Sequence, residues 1–143
     1  MWGGDTSGQG LTRDQKLSII LWLMNQFERY RYWTLEDLNN WVFPAVDSEQ
    51  CHVFMRNGSP VGYVSWAFLD PKISDQVMTT ERAMRPSHWR CGEEMWIVEF
   101  IALKGNVRYI VKDMKRWFPG DAKRIRNKDE SVVRGKYGFP VES

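Results

Sequence analysis

The chain has 143 residues, enough for one domain with a substantial core and too few for two comfortable ones. Hydrophobic residues make up 43% and aromatics 14%, which excludes a disordered chain. A net charge of +2 gives no global signal for nucleic acid, and no segment approaches the length of a membrane-spanning helix.

Residues 1–11 are rich in Gly and Ser and read as a flexible lead-in, with neither the basic region nor the apolar stretch of a signal peptide. Thr12 and Gln15 fit a capping box, and Leu17, Ile20, Leu21 and Met24 share one helical face, so a helix is expected from Arg13 to Phe27. The stretch from Phe27 to Trp33 is dense in aromatics and arginine and has no period; such a cluster covers a core edge or walls a cleft. A second capping box, Thr34 with Asp37, opens a helix carrying Leu38, Trp41, Val42 and Ala45, with Pro44 limiting its end.

Cys51 to Arg56 reads as a strand, Asn57-Gly58 as a tight turn, and Val61 to Leu69 as the returning strand, ended by Asp70-Pro71. A short helix is expected from Asp75 to Met84. Cys51 and Cys91 make neither a disulfide framework nor a metal-ligand pattern, and a reducing, cytoplasmic compartment with no metal site is the expectation. His52 reads as a strand residue and His88 as a solvated loop residue.

Met95 to Leu103 follows as an apolar run that suits a strand covered on both faces. Its one carboxylate, Glu99, is costly to bury without partners. On these residues alone a core strand whose Glu99 reaches the surface is the plainer reading. After it, Gly105, Asn106 and Val107 offer backbone N–H groups at a helix start, which suit an anionic ligand. Val107, Ile110, Val111, Met114, Trp117 and Phe118 form the apolar stripe of that helix, and Pro119-Gly120 stops it. Lys104 to Lys128 holds nine Lys and Arg against two acids. Lys123 to Asp129 reads as a basic edge strand. This order of elements is an α/β layered arrangement, one domain over residues 12–143, with a mixed, mainly antiparallel sheet flanked by helices.

Three motifs carry a family resemblance. Pro60-Val61-Gly62-Tyr63-Val64-Ser65-Trp66-Ala67 resembles a strand of the RTX-toxin-activating, or haemolysin-activating, lysine acyltransferases. Gly92 to Gly105 resembles their central strand, of the form G-x-x-x-W-x-x-D-x-I-A-x-x-G, and Met114 to Pro119 resembles their M-R-x-x-F-P segment at matching spacing. Trp33 and Pro44 keep the family's interval, so that the likeness runs from about residue 17 to about residue 138.

The resemblance implies a GNAT-like fold and transfer of a fatty acyl group from acyl-carrier protein to lysines of a protoxin. It also implies a catalytic His and Asp; in this chain those positions hold Tyr30 and Glu99. A carboxylate is retained, able to take a proton from a lysine ammonium. A phenol with an unperturbed pKa of about 10 is a poor general base, but it can hydrogen-bond a carbonyl or protonate a leaving thiolate. Glu99 is therefore the expected base and Tyr30 an acid or positioning group.

With only Gly105 of a Gly-rich pyrophosphate loop present, acyl-carrier protein is favoured over coenzyme A as donor, and no tightly bound cofactor is expected. Gly105, Asn106, Val107 and Arg108 would cradle the donor, and Lys112, Lys115, Arg116 and Arg126 would dock an acidic carrier. The plainer reading of that basic run is a solvated helix face. The acceptor would be a partner protein carrying the target lysine, and a homodimer stays open. The rival reading is an inactive GNAT-like fold used as a protein-binding module or phage-encoded inhibitor. Nucleic-acid binding has the weakest case.

Overall fold

A computed structural model of the chain describes residues 10–79, 84–116, 118 and 123–124. The first expected helix forms as α1 (Arg13–Asn25), and its capping box is complete. Thr12 Oγ1 accepts from the Gln15 amide at 3.1 Å, and Gln15 returns its side-chain oxygen to the Thr12 amide at 2.8 Å. Its buried side is Ile19, Ile20, Leu23 and Met24, whereas Leu21, expected inside, is 43% exposed. A 3₁₀ turn (Glu28–Tyr30) leads to α2 (Leu35–Trp41), opened by the Thr34–Asp37 capping box. The expected continuation through Val42 is instead a break. Pro44 falls at the second position of a separate helix, α3 (Phe43–Asp47), where it forfeits no intrahelical bond.

The hairpin of β1 (Cys51–Arg56) and β2 (Ser59–Leu69) turns at Asn57 and Gly58, with φ values of 53° and 76°. Two positive φ values in a row make the turn that matches the twist of the flanking strands, and Asn-Gly tolerates them best. Asp70-Pro71 does more than end β2. Asp70 Oδ1 accepts from the Lys72 amide at 2.8 Å and Pro71 begins α4 (Pro71–Thr79), so the helix starts four residues before the expected Asp75. Residues 80–83, the rest of the expected helix, lie outside the described residues.

After a 3₁₀ turn (Pro86–His88), β3 (Glu94–Ala102) pairs antiparallel with β2. Lys123–Arg124 forms β4, parallel to β3, and gives the sheet order β1-β2-β3-β4. The remainder of the expected edge strand, like residues 1–9, Trp117, Pro119-Gly120 and Arg126, is outside the described residues.

The sheet is covered on both faces. On one, α1, the 3₁₀ turn and α3 bury Ile19, Ile20, Leu23, Tyr30, Val42 and Ala45 against Val53, Tyr63, Ala67, Val98 and Ile101. On the other, α5 (Val107–Met114) lays Ile110 and Met114, with Phe118 beyond it, against Phe54, Val64, Ile97 and Phe100. Close approach of α5 requires Gly62, where a Cβ would collide with Ile110 Cδ1 and the Ile101 carbonyl. This is the α/β arrangement with a mainly antiparallel sheet that the order of elements predicts.

Two devices fix the far end. Gln50, 3% exposed, donates to the Trp66 and Trp89 carbonyls at 2.9 and 3.0 Å and accepts from Arg90 Nε at 2.8 Å. Gly92 lies flat on the Leu69–Asp70 backbone, so that any Cβ there would collide with it. Gly92→Ala should therefore lower unfolding free energy by about 1–3 kcal/mol, read by urea denaturation.

Candidate active site

The site is built where the 3₁₀ turn meets the middle of β3. Tyr30 sits on that turn with its ring edge-on to Phe27 and Trp33, at centroid distances of 6.3 and 5.0 Å, and is 5% exposed. The Arg29 guanidinium lies 4.7 Å over the Tyr30 ring and 5.5 Å over Phe27. The aromatic–arginine cluster therefore covers a core edge, and one of its members reaches into the core.

Glu99 is brought to the same place by an irregularity in the strand. Val64 pairs with Phe100 and Trp66 with Ile97, so two steps of β2 match three of β3, and Val98 and Glu99 together face Ser65. This is a β-bulge, which shifts the alternation of side chains. Ile97 and Phe100 both face α5, while Trp96, Val98 and Ile101 face α1. Strict alternation would have sent Glu99 toward α5. The bulge sends it instead to the face that holds Tyr30, and the Glu99 amide donates to Ser65 Oγ at 3.1 Å.

There Glu99, 5% exposed, accepts a hydrogen bond from Tyr30 Oη at 2.6 Å through Oε2. That length is typical of a hydroxyl donating to an ionised oxygen. Arg29 Nη2 donates to Tyr30 Oη at 2.9 Å and weakly to the Phe100 carbonyl at 3.5 Å. The plainer reading of Glu99, a side chain reaching the surface, is overturned: it is buried and paired. Two positions distant in sequence, expected together from the family resemblance, meet in one hydrogen bond.

Burial raises the Tyr30 phenol well above its ordinary 10.0, the charge of Glu99 adds to this, and Arg29 works against it. Tyr30 is thus a neutral phenol across physiological pH, able to donate a proton and unable to act as a resting base. Tyr63, missed as a site neighbour, is wholly buried on the same face, and burial raises its phenol too. Its hydroxyl lies near Ser65 but outside hydrogen-bond geometry, and has no partner among the described residues. Burial also pushes the Cys51 thiol up to about 11.

The expected anion cradle is altered. Gly105 adopts φ 87°, fitting the turn, but the Asn106 amide donates to the Leu103 carbonyl at 3.0 Å and is not available to a ligand. The Asn106 side chain is also engaged, accepting from Arg56 Nη1 at 3.2 Å. Val107 is half-buried, Arg108 and Lys112 are exposed on α5, and Lys115 and Arg116 are exposed just beyond its end. Arg116 lies 4.0 Å from Asp113. Neither histidine enters the site: His52 is in β1, and His88 Nδ1 accepts from the Arg85 amide at 3.1 Å. Among the described residues no His, Cys, Asp and Glu group could hold a metal, and no helix is long and apolar enough to cross a membrane. A cleft of about 720 Å³ opens elsewhere, between α2, α4 and the Arg85–His88 turn; Tyr30 and Glu99 do not line it.

The two raised phenols set an alkaline limit. Below about pH 10 both are protonated folded and unfolded, and their contribution to stability is complete. As pH rises further the unfolded chain ionises first and the fold loses stability. Urea denaturation between about pH 8 and about pH 11 should show that decline, and a shallower one in Tyr63→Phe. Near neutrality Tyr63→Phe, which deletes an unpartnered buried hydroxyl, should stabilise by about 1 kcal/mol.

Comparison with known proteins gives the family. The model of the HlyC, RTX toxin acyltransferase, family matches residues 11–136. The protein-lysine myristoyltransferase RtxC of Kingella kingae is 26% identical over 132 residues, covering 90% of this chain and 79% of that protein. The lysine-acyltransferase RtxC of Vibrio cholerae is 27% identical over 125 residues, 85% of this chain and 78% of that one. The leukotoxin-activating lysine-acyltransferase LktC of Mannheimia haemolytica serotype A1 is 29% identical over 103 residues, 72% of this chain and 62% of that protein. The family model spans most of the chain, residues 11–136, and this chain is therefore a member of the RTX toxin acyltransferase family.

Proposed function

We propose that this chain moves an acyl group from acyl-carrier protein to the ε-amine of a lysine on a partner protein, as in toxin activation, with Glu99 as base and Tyr30 as acid. The observation that carries this reading is the buried 2.6 Å bond between Tyr30 Oη and Glu99 Oε2. The family membership and the relatives named as lysine acyltransferases support the reaction class.

Only a free amine attacks a thioester, and a lysine with a pKa of about 10.4 arrives as ammonium. One of its protons leaves to solvent. As nitrogen bonds to the carbonyl carbon, the next passes to Glu99. The carbon–sulfur bond breaks and the sulfur leaves with the electron pair. Tyr30 gives its proton to that thiolate, and Glu99 returns the proton it holds to the phenolate across their hydrogen bond. Both side chains end as they began, with an amide and a free thiol as products.

A carrier protein is favoured over coenzyme A by two observations. The Asn106 amide is occupied, which depletes a pyrophosphate cradle at Gly105, Asn106 and Val107. Arg108 and Lys112 on α5 and Lys115 and Arg116 just beyond it are exposed, where they would meet an acidic carrier, with Arg126 as a further candidate. The setting we infer is cytoplasmic, where charged carrier and acceptor coexist.

Intact-mass spectrometry with acyl-carrier protein and a lysine acceptor tests this. Wild type should transfer; Glu99→Gln should be slower by about 100-fold or more and Tyr30→Phe by about 10-fold or more. Transfer from the carrier should weaken with added salt, and Lys112→Glu with Lys115→Glu should weaken it at low salt. Transfer undiminished in Glu99→Gln overturns the assignment. No transfer by wild type, with a tight partner retained instead, makes the chain a binding protein.

A further inference from the structure

Arg29 is absent from the acid–base scheme above, yet among the described residues it is the cation that bonds the Tyr30 hydroxyl. Its guanidinium is held on three sides: over the Tyr30 ring at 4.7 Å, over the Phe27 ring at 5.5 Å, and by its 2.9 Å donation to Tyr30 Oη. The residue is nevertheless exposed, and no carboxylate pairs with it among the described residues. A surface arginine with no acidic partner, fixed against a buried hydroxyl, has a geometry that surface packing alone does not require.

We propose that Arg29 is a positioning residue that makes Tyr30 a usable acid, stabilising the phenolate left when Tyr30 protonates the departing thiolate. The inference rests on the assignment of Tyr30 and Glu99 in the reaction. A phenol oxygen has one proton and two lone pairs. Arg29 occupies a lone pair and the proton is directed to Glu99, so the hydroxyl is oriented from both sides.

The need for such help follows from the surroundings. A thiolate whose conjugate acid has a pKa of about 8.5 is a weak base toward a phenol of about 10, and burial widens that gap. The charged groups that face the Tyr30 hydroxyl are Glu99 from β3, which opposes phenolate, and Arg29 from its own turn, which favours it. A cation already held at the hydroxyl stabilises negative charge developing there without reorganising at the moment of reaction.

The test is the dependence on leaving group. The same acyl group is presented on acyl-carrier protein, an alkyl thioester, and on an aryl thiol, whose thiolate leaves without needing a proton. With the carrier donor, Arg29→Gln should be slower in kcat by about 10-fold or more with KM little changed, and Arg29→Lys should fall between the two. With the aryl donor the Arg29→Gln and Tyr30→Phe deficits should both shrink toward wild type, while the Glu99→Gln deficit remains. A deficit in Arg29→Gln of equal size with both donors marks a structural role and overturns the inference. So does the absence of any deficit with the carrier donor. If Glu99→Gln and Tyr30→Phe are also undiminished, the assignment of the site fails as well. A readout independent of turnover is the alkaline absorbance titration of Tyr30, isolated by subtracting Tyr30→Phe. Its midpoint should move up in Arg29→Gln, and an unmoved midpoint overturns the inference.

Discussion

A carboxylate in the middle of a buried strand is the constraint that the rest of this structure answers. Leaving it ionised and unpartnered would cost far more than a domain of this size has in reserve. The answer has three parts from distant positions: a bulge that turns Glu99 away from α5, a serine that receives its amide, and a tyrosine hydroxyl that meets its oxygen. Arg29 places a cation one bond further out. Each part is local and ordinary; their convergence is what suits the place to proton transfer.

The fold is arranged to hold that convergence still. The capping boxes at Thr12 and Thr34 set the start of α1 and α2, and the turn carrying Tyr30 is strung between those helices. Phe27 and Trp33 both pack edge-on against the Tyr30 ring. On the opposite face α5 closes over Gly62 and shields β3 from solvent. A site built this way depends on rigid packing more than on loop closure, which suits two groups that must exchange a proton across one short bond.

Much of this was legible in the sequence because the signals are local. Capping boxes, an Asn-Gly turn and a helical stripe in α5 are all set within a few residues. What was not legible is parity. Met95 to Leu103 is apolar almost throughout, so its pattern does not show which face each residue takes, and a one-residue bulge leaves no mark in such a run. Asp70-Pro71 has the pattern of a strand stop, and in the fold it is also a helix start. Leu21 followed the helical period yet lies outside, because α1 is apolar on more than one side. Gln50 and Gly92 matter through partners 16 and more residues away in one case and through backbone contact in the other, and neither shows in a local pattern. Glu99 stands out as the one carboxylate of an apolar strand and Tyr30 only through a family resemblance; their bonding could come only from the fold.

The central claim is that Tyr30 and Glu99 share one short, buried hydrogen bond. Proton NMR of the wild-type protein reads it directly, because a hydroxyl proton in such a bond exchanges slowly with water and resonates downfield of ordinary tyrosine hydroxyls. The account predicts one such signal, absent from Tyr30→Phe and lost or shifted upfield in Glu99→Gln. A wild-type spectrum with no such signal, or one whose signal survives Tyr30→Phe, would contradict it.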